Sequence, residues 1–318
     1  MPIKAHPARG YFYIAAATFS WALAATLGRG VFTGRWFVAG TVVHPIDPLI
    51  LSQSRTTFSF LALLPALVLL RGTRKLRLER GDLIHVFLLG ILGVAASNYF
   101  YYLAIQKTNV ATAIILQYTA PVWVLLYMVA RRFQKATLSR IAAVGLALLG
   151  IALVIGIFSS GLRLDSIGVT AALVASLSFS FYNVGGHRLL TRHDRWTVLL
   201  YATGSAALFW IFVNSPSKIA SAHYSGGQWL FLLVFSLLSV LLPFSFYFAG
   251  LQHLEPTRAV IGSCLEPVFS ILVAAIALGE ILRPMQAIGI VFVLAAILVV
   301  QLPDRRAEET ATLIEPIE

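Results

Sequence analysis

A chain of 318 residues that is 58% hydrophobic and 12% charged, with a mean hydropathy of +0.84, lies outside the range of soluble domains, which are about 45 to 50% apolar and about 25% charged. Those values exclude a water-soluble fold and indicate a polytopic membrane protein. The formal net charge of +11 would suit nucleic acid, but the basic residues sit in alternate short breaks, where membrane topology already accounts for them.

A bilayer core about 30 Å thick takes roughly 20 apolar residues per helix. Ten such runs follow one another, near 11–31, 48–70, 82–104, 109–131, 138–158, 165–187, 196–214, 228–251, 256–278 and 284–302. The first follows a basic start and contains Ala22-Leu23-Ala24, as a cleavable signal peptide would. It is read as a retained helix, since its removal would leave four helices against five. The break from Arg29 to Asp47 is the longest, with room for an extended first helix or a short interfacial one. Asp47-Pro48, Asn109 and Glu255-Pro256 place capping or acidic side chains just before helices, and Gly279 suits a helix end. Residues 304–318, with Glu308, Glu309, Glu315 and Glu318, read as a disordered cytoplasmic tail.

The run from Phe100-Tyr101 through Pro121-Val122 returns 146 residues later as Phe246-Tyr247 through Pro267-Val268. At that offset Gln106/Gln252, Ala113/Ala259, Ile115/Ile261 and Leu126/Leu272 are also identical. Seventeen Lys and Arg fall on one face of a ten-helix arrangement and six on the other, which places both termini in the cytoplasm. Five helices per unit is odd, so the second unit enters the membrane from the opposite side. The expected fold class is therefore an all-α integral membrane protein with ten transmembrane helices as two inverted five-helix repeats, residues 1–160 and 161–303. The expected location is a plasma membrane, the inner membrane of a bacterium, and such repeats commonly enclose one central site.

Polar groups deep in the apolar runs mark that site. Glu266, about ten residues into the ninth run, lies near the bilayer centre. A charge there costs roughly 2.5 to 3.5 kcal/mol on insertion scales, so the carboxyl must be protonated, paired or bound to a cationic group. Pro267 frees the carbonyl of Ser263, and Pro121 that of Gln117. Arg55, some seven residues into the second run, is a candidate counter-ion if it faces inward, or it snorkels to the outer interface. Asn98, Tyr101 and Tyr102 share one face of the third helix, and Ser180 and Asn183 one face of the sixth. Gln117 and Tyr118 precede Pro121, Ser263 lies one turn before Glu266, and Trp21 is too deep to be an interfacial anchor. The candidate substrate-binding set is Trp21, Asn98, Tyr101, Gln117, Tyr118, Asn183, Ser263 and Glu266, a mostly apolar and aromatic pocket with a few amide and hydroxyl groups. Each of these residues alone is more often interhelical packing or glue.

The patterns around Trp21, Arg55, Ala104-Ile105-Gln106 to Pro121-Val122, and Gly250-Leu251 to Pro267-Val268 and Gly279-Glu280 resemble the EamA family, the ten-helix branch of the drug/metabolite transporter superfamily. The resemblance runs from about Tyr11 to Val300. It implies two inverted five-helix units, a central cavity, and movement of amino acids, metabolites or drugs, often as export. Where the family commonly has Gly-Glu after the fourth helix, this chain has Phe133-Gln134.

No His-Glu-x-x-His, Gly-x-Ser-x-Gly or paired intramembrane Asp suggests catalysis, and every Lys falls in a loop. No catalytic residue, metal ligand or cofactor is assigned. Without Gly-x-x-x-x-Gly-Lys, transport is expected to be facilitated or secondary, with protons exchanged at Glu266 as the candidate coupling ion. The lead expectation is export of amino acids or related compounds by alternating access, with drug or toxic-compound efflux as runner-up and a channel or intramembrane enzyme as less favoured alternatives. The partners are a small-molecule substrate and the lipid bilayer, not nucleic acid, and the chain is a monomer or a homodimer. Cys264 is alone, so no intrachain disulfide exists.

Overall fold

The computed structural model describes residues 6–32, 48–157, 164–215, 218–219, 221, 223–278 and 281–302. The Asp47 cap, Gly279-Glu280, most of the Arg29–Asp47 break, the boundary between 160 and 161, and the 304–318 tail lie outside the described residues. Among those described, every regular element is helical. Helices α1 (Pro7–Phe32), α2 (Pro48–Arg71), α3 (Arg80–Lys107), α4 (Val110–Ala130) and α5 (Leu138–Ile155) come from the first half of the chain. The second half supplies α6 (Ser166–Leu190), α7 (Arg195–Val213), α8 (Gly226–Leu251), α9 (Pro256–Leu278) and α10 (Pro284–Val299). Eight of these, α2 to α9, are long and apolar enough to cross a membrane, and α10 is a shorter apolar helix. This is a multi-pass membrane protein.

Two helices in each half are irregular, at matching places. α3 widens to π geometry over Leu89–Ala95, and α8 over Leu237–Leu241. α4 breaks between Gln117 and Ala120, and α9 breaks at Cys264, which the 146-residue offset sets opposite Tyr118. Pro121 and Pro267 follow the two breaks at the start of the continuing helix, where a missing N–H is tolerated.

The cap of α4 behaves as its sequence suggests, while that of α9 differs. Asn109 accepts a hydrogen bond from Thr112 N at 2.8 Å. Glu255 occupies the N-cap position of α9 but its carboxylate does not cap, because it is drawn to Gln134 and Arg140 of the other half.

Packing crosses between the halves. α1 lies along α8 and α9, and α6 lies along α3 and α4, so the first helix of each half packs on the third and fourth helices of the other. α2 pairs with α7, and α5 with α10. The α5–α10 contact is close enough to bring backbones together. A Cβ on Gly150 would sit 2.8 Å from Val293 N, and one on Gly289 would sit 2.6 Å from Val154 N. Gly145 has nothing within 4 Å of its absent side chain. Replacing Gly289 by Leu should therefore lower stability by roughly 1 to 3 kcal/mol, since backbone cannot move aside as a flexible side chain can. The expected readout is a clear fall in Tm in detergent, with Gly145→Ala melting as the parent does.

Candidate functional site

The centre of the bundle is organised around one arginine and one glutamate, each held by neutral partners. Arg55, only 6% exposed, points from α2 into the bundle rather than out to an interface. Its Nε donates to Ser239 Oγ at 2.8 Å, its Nη2 to the Ser239 carbonyl at 2.9 Å, and its Nη1 to Asn98 Oδ1 at 2.8 Å and to Tyr102 OH. The guanidinium also lies over the rings of Tyr102 and Phe235, at 5.3 and 5.6 Å from their centroids. Ser239 can serve because α8 is in π geometry there and because Pro243, four residues on, has no N–H to give its carbonyl. Asn98 is oriented by its own donation to Val94 O at 2.7 Å.

Glu266 sits two residues past the α9 break, in the first turn of the continuing helix, and keeps some accessible surface. Tyr118 OH, from the α4 break, donates to Glu266 Oε2 at 2.7 Å and lies 3.2 Å from the Ser263 carbonyl that Pro267 leaves unpaired. Glu266 Oε1 has no partner among the described residues. Arg55 and Glu266 feel one another electrostatically, yet no ion pair joins them. The partner of the buried carboxyl is thus Tyr118, not the arginine. Tyr101 stands within electrostatic reach of both charges, with its ring tilted against that of Tyr102 at 5.6 Å between centroids.

The other sequence candidates divide into those left accessible and those already occupied. Gln117 is half-buried, and its carboxamide has no partner among the described residues. Trp21 is half-buried on an aromatic floor formed with Phe179, Phe244 and Tyr247, at 5.3 to 6.4 Å between centroids. Asn183 is fully buried and both ends of its amide are in use, to Phe179 O at 2.8 Å and from Tyr247 OH at 2.6 Å. The Ser263 side chain is also fully buried and bonds Val260 O, so only its carbonyl meets Tyr118. Sequence reasoning missed Ser239 altogether. The signal was available, since Pro243 stands to Ser239 as Pro267 stands to Ser263.

Comparison with known proteins fits this geometry to a family. The EamA-like transporter family matches residues 8–156 and again residues 166–302, nearly the whole described chain in two successive copies. The chain belongs to the EamA-like transporter family. Among relatives, an uncharacterized transporter of Archaeoglobus fulgidus is 29% identical over 217 residues, 66% of this chain and 75% of that one. The threonine/homoserine exporter RhtA of Escherichia coli K12 is 28% identical over 227 residues, 70% of this chain and 72% of its own. A protein known by its crystal structure superposes with a TM-score of 0.74 at 20% identity, over 95% of this chain and all of that one, and so shares the fold. This EamA protein is a membrane transporter, and the Arg55 and Glu266 clusters stand where its two halves meet.

The two clusters make separable demands. Arg55→Lys keeps the charge but loses the planar fork, and should lower stability by roughly 2 to 4 kcal/mol as Ser239, Asn98 and Tyr102 lose their donor. Tyr118→Phe leaves the Ser263 carbonyl and the Glu266 carboxyl without their common donor, at a cost of roughly 1 to 3 kcal/mol. Melting curves on the purified variants check both, and a Tyr118→Phe protein as stable as its parent would contradict the geometry.

Proposed function

We propose that this protein exports small zwitterionic metabolites, amino acids foremost, by alternating access around Arg55 and Glu266. One observation carries the reading. A guanidinium and a carboxyl of opposite halves face the same interior, influence each other and are not paired, so a ligand bearing both an ammonium and a carboxylate can lie between them. The free Oε1 of Glu266 suits the ammonium, the remaining N–H of Arg55 suits the carboxylate, and Tyr101, Gln117 and Trp21 suit the side chain. The threonine/homoserine exporter among the relatives supports the same substrate class. The aromatic floor under Trp21 supports a second reading, efflux of lipophilic compounds.

The reading includes ten crossings in two inverted repeats, 1–160 and 161–303, with a cytoplasmic tail at 304–318. Its support is the 146-residue repeat, the matching breaks in α4 and α9, the exchanged packing of α1 and α6, and the twofold family match. Clustering of Arg71, Arg80, Arg131, Arg132 and Arg192 at one end of the bundle supports cytoplasmic termini in a plasma membrane. Glu266 is the group we assign to proton coupling, as a lone carboxyl that faces the interior at mid-membrane. The assembly is a monomer or a homodimer.

Proteoliposomes tested with radiolabelled amino acids, sugars and nucleosides should take up amino acids selectively, with lipophilic drugs competing poorly. Glu266→Gln should lower flux about tenfold or more and flatten the response to an imposed pH gradient, since a charge-assisted contact is lost. Wild-type flux with an unchanged pH response in that variant would remove Glu266 from the mechanism. Separately, Gln117→Ala should raise KM with little loss of kcat, because its amide has no structural duty.

A further inference from the structure

At the basic end of the bundle, below the Arg55 and Glu266 clusters, the chain halves are laced together around one side chain. Gln134, in the turn between α4 and α5, is 8% exposed and uses both ends of its amide. Nε2 donates to Glu255 Oε2 at 2.8 Å, and Oε1 accepts from Thr257 Oγ1 at 2.8 Å. Thr257 is fully buried in the first turn of α9, and Arg140 at the start of α5 reaches the same Glu255 oxygen at 3.4 Å. Nearby, His187 near the end of α6 meets the Leu251 carbonyl at the end of α8 through Nδ1 at 2.9 Å. The turn itself is bent to this purpose. Arg132 adopts a φ of 59°, a left-handed conformation uncommon for a side chain of its size, and the N–H groups of Phe133 and Gln134 both return to Met128 O.

These contacts join the helix group α3, α4 and α6 to the group α1, α8 and α9, and it is between these groups that Tyr118 meets Glu266 and Asn183 meets Tyr247. Separating the groups at this end would open the site to the basic side. It cannot happen without breaking the Gln134 bonds. The chemistry also favours an amide at this position. Thr257 finds an acceptor and Glu255 a donor in one carboxamide, which offers both at any pH, whereas a carboxylate offers acceptors alone. A Glu at this place would set a second carboxyl against Glu255, with Arg140 the cation that reaches Glu255 among the described residues.

We propose that Gln134 is the positioning residue of an inner gate, holding α4 against α9 so that the site is shut from the cytoplasm until transport breaks the pair. The proposal rests on the alternating-access reading and on its orientation of the chain, and it assigns to Gln134 and Glu255 a matched amide and carboxylate. It predicts that exchanging the two groups preserves the gate while changing either alone damages it.

The test measures distance and not flux. Cysteines introduced at the exposed positions Ala8 on α1 and Ala136, two residues past Gln134 in the turn after α4, carry spin labels on the two sides of the contact, while native Cys264 is enclosed and does not label. In lipid nanodiscs, double electron–electron resonance should show one dominant short distance for the parent. Gln134→Leu, which loses both bonds, should raise the ratio of long to short distances about tenfold, and Thr257→Val should do so by a smaller factor. Gln134→Glu should open the gate at least as far as Gln134→Leu. The double variant Gln134→Glu with Glu255→Gln should return most of the population to the short distance. An unchanged distribution in both Gln134→Leu and Thr257→Val, or a double variant as open as Gln134→Glu alone, would overturn the assignment. Should Gln134→Leu fail to fold, Thr257→Val and the exchange carry the test. Because the distances need no substrate, the gate can fail while amino-acid flux stands, and the substrate assignment can fail while the gate holds.

Discussion

The hydrocarbon of a bilayer holds no water to take up a backbone carbonyl that a helix has let go, so it must be met by the protein or face a watery cavity. The centre of this molecule depends on that constraint. Pro243 and Pro267 each release a carbonyl in the middle of an apolar helix, and two side chains from distant helices come to meet them, Arg55 at Ser239 and Tyr118 at Ser263. Arg55 then has polar capacity left over and uses it to order Asn98 and Tyr102, while Tyr118 shares its single O–H between the Ser263 carbonyl and Glu266. The broken helices, costly in isolation, are what fix the functional groups in place.

A consequence is that the two charges are stabilised without neutralising one another. Had Arg55 and Glu266 formed a direct ion pair, any ligand would have to break it before binding. Neutral donors and acceptors hold each group separately, so on the proposed reading the attraction between them is available to a ligand that spans the gap. The aromatic floor beneath Trp21 adds apolar surface without competing for either charge.

Much of this was legible in the sequence, and the divisions are instructive. Helices are local, so their positions could be read from apolar runs to within about a turn, and the prolines and Glu266 stood out because they are costly where they are. Which residues face one another is not local. Asn98 and Asn183 look equivalent as polar groups on helix faces, yet one orients Arg55 and the other is consumed by Phe179 and Tyr247. Tyr118 and Glu266 are 148 residues apart, and their meeting depends on the rotation of two helices that no periodicity reports. The π segments left no compositional mark. Ser239 could have been found, had the proline rule applied to Pro121 and Pro267 been extended to Pro243.

The close contact of Gly150 with Gly289 has a mechanical side. Where two helices touch through backbone, no side chain lies between them to change rotamer and absorb displacement, so α5 and α10 behave as one rigid post. On the alternating-access reading, that pair would move as a unit and the other helices would shift relative to it. In a transporter built this way, a stiff contact would serve as an axle in place of a flexible hinge.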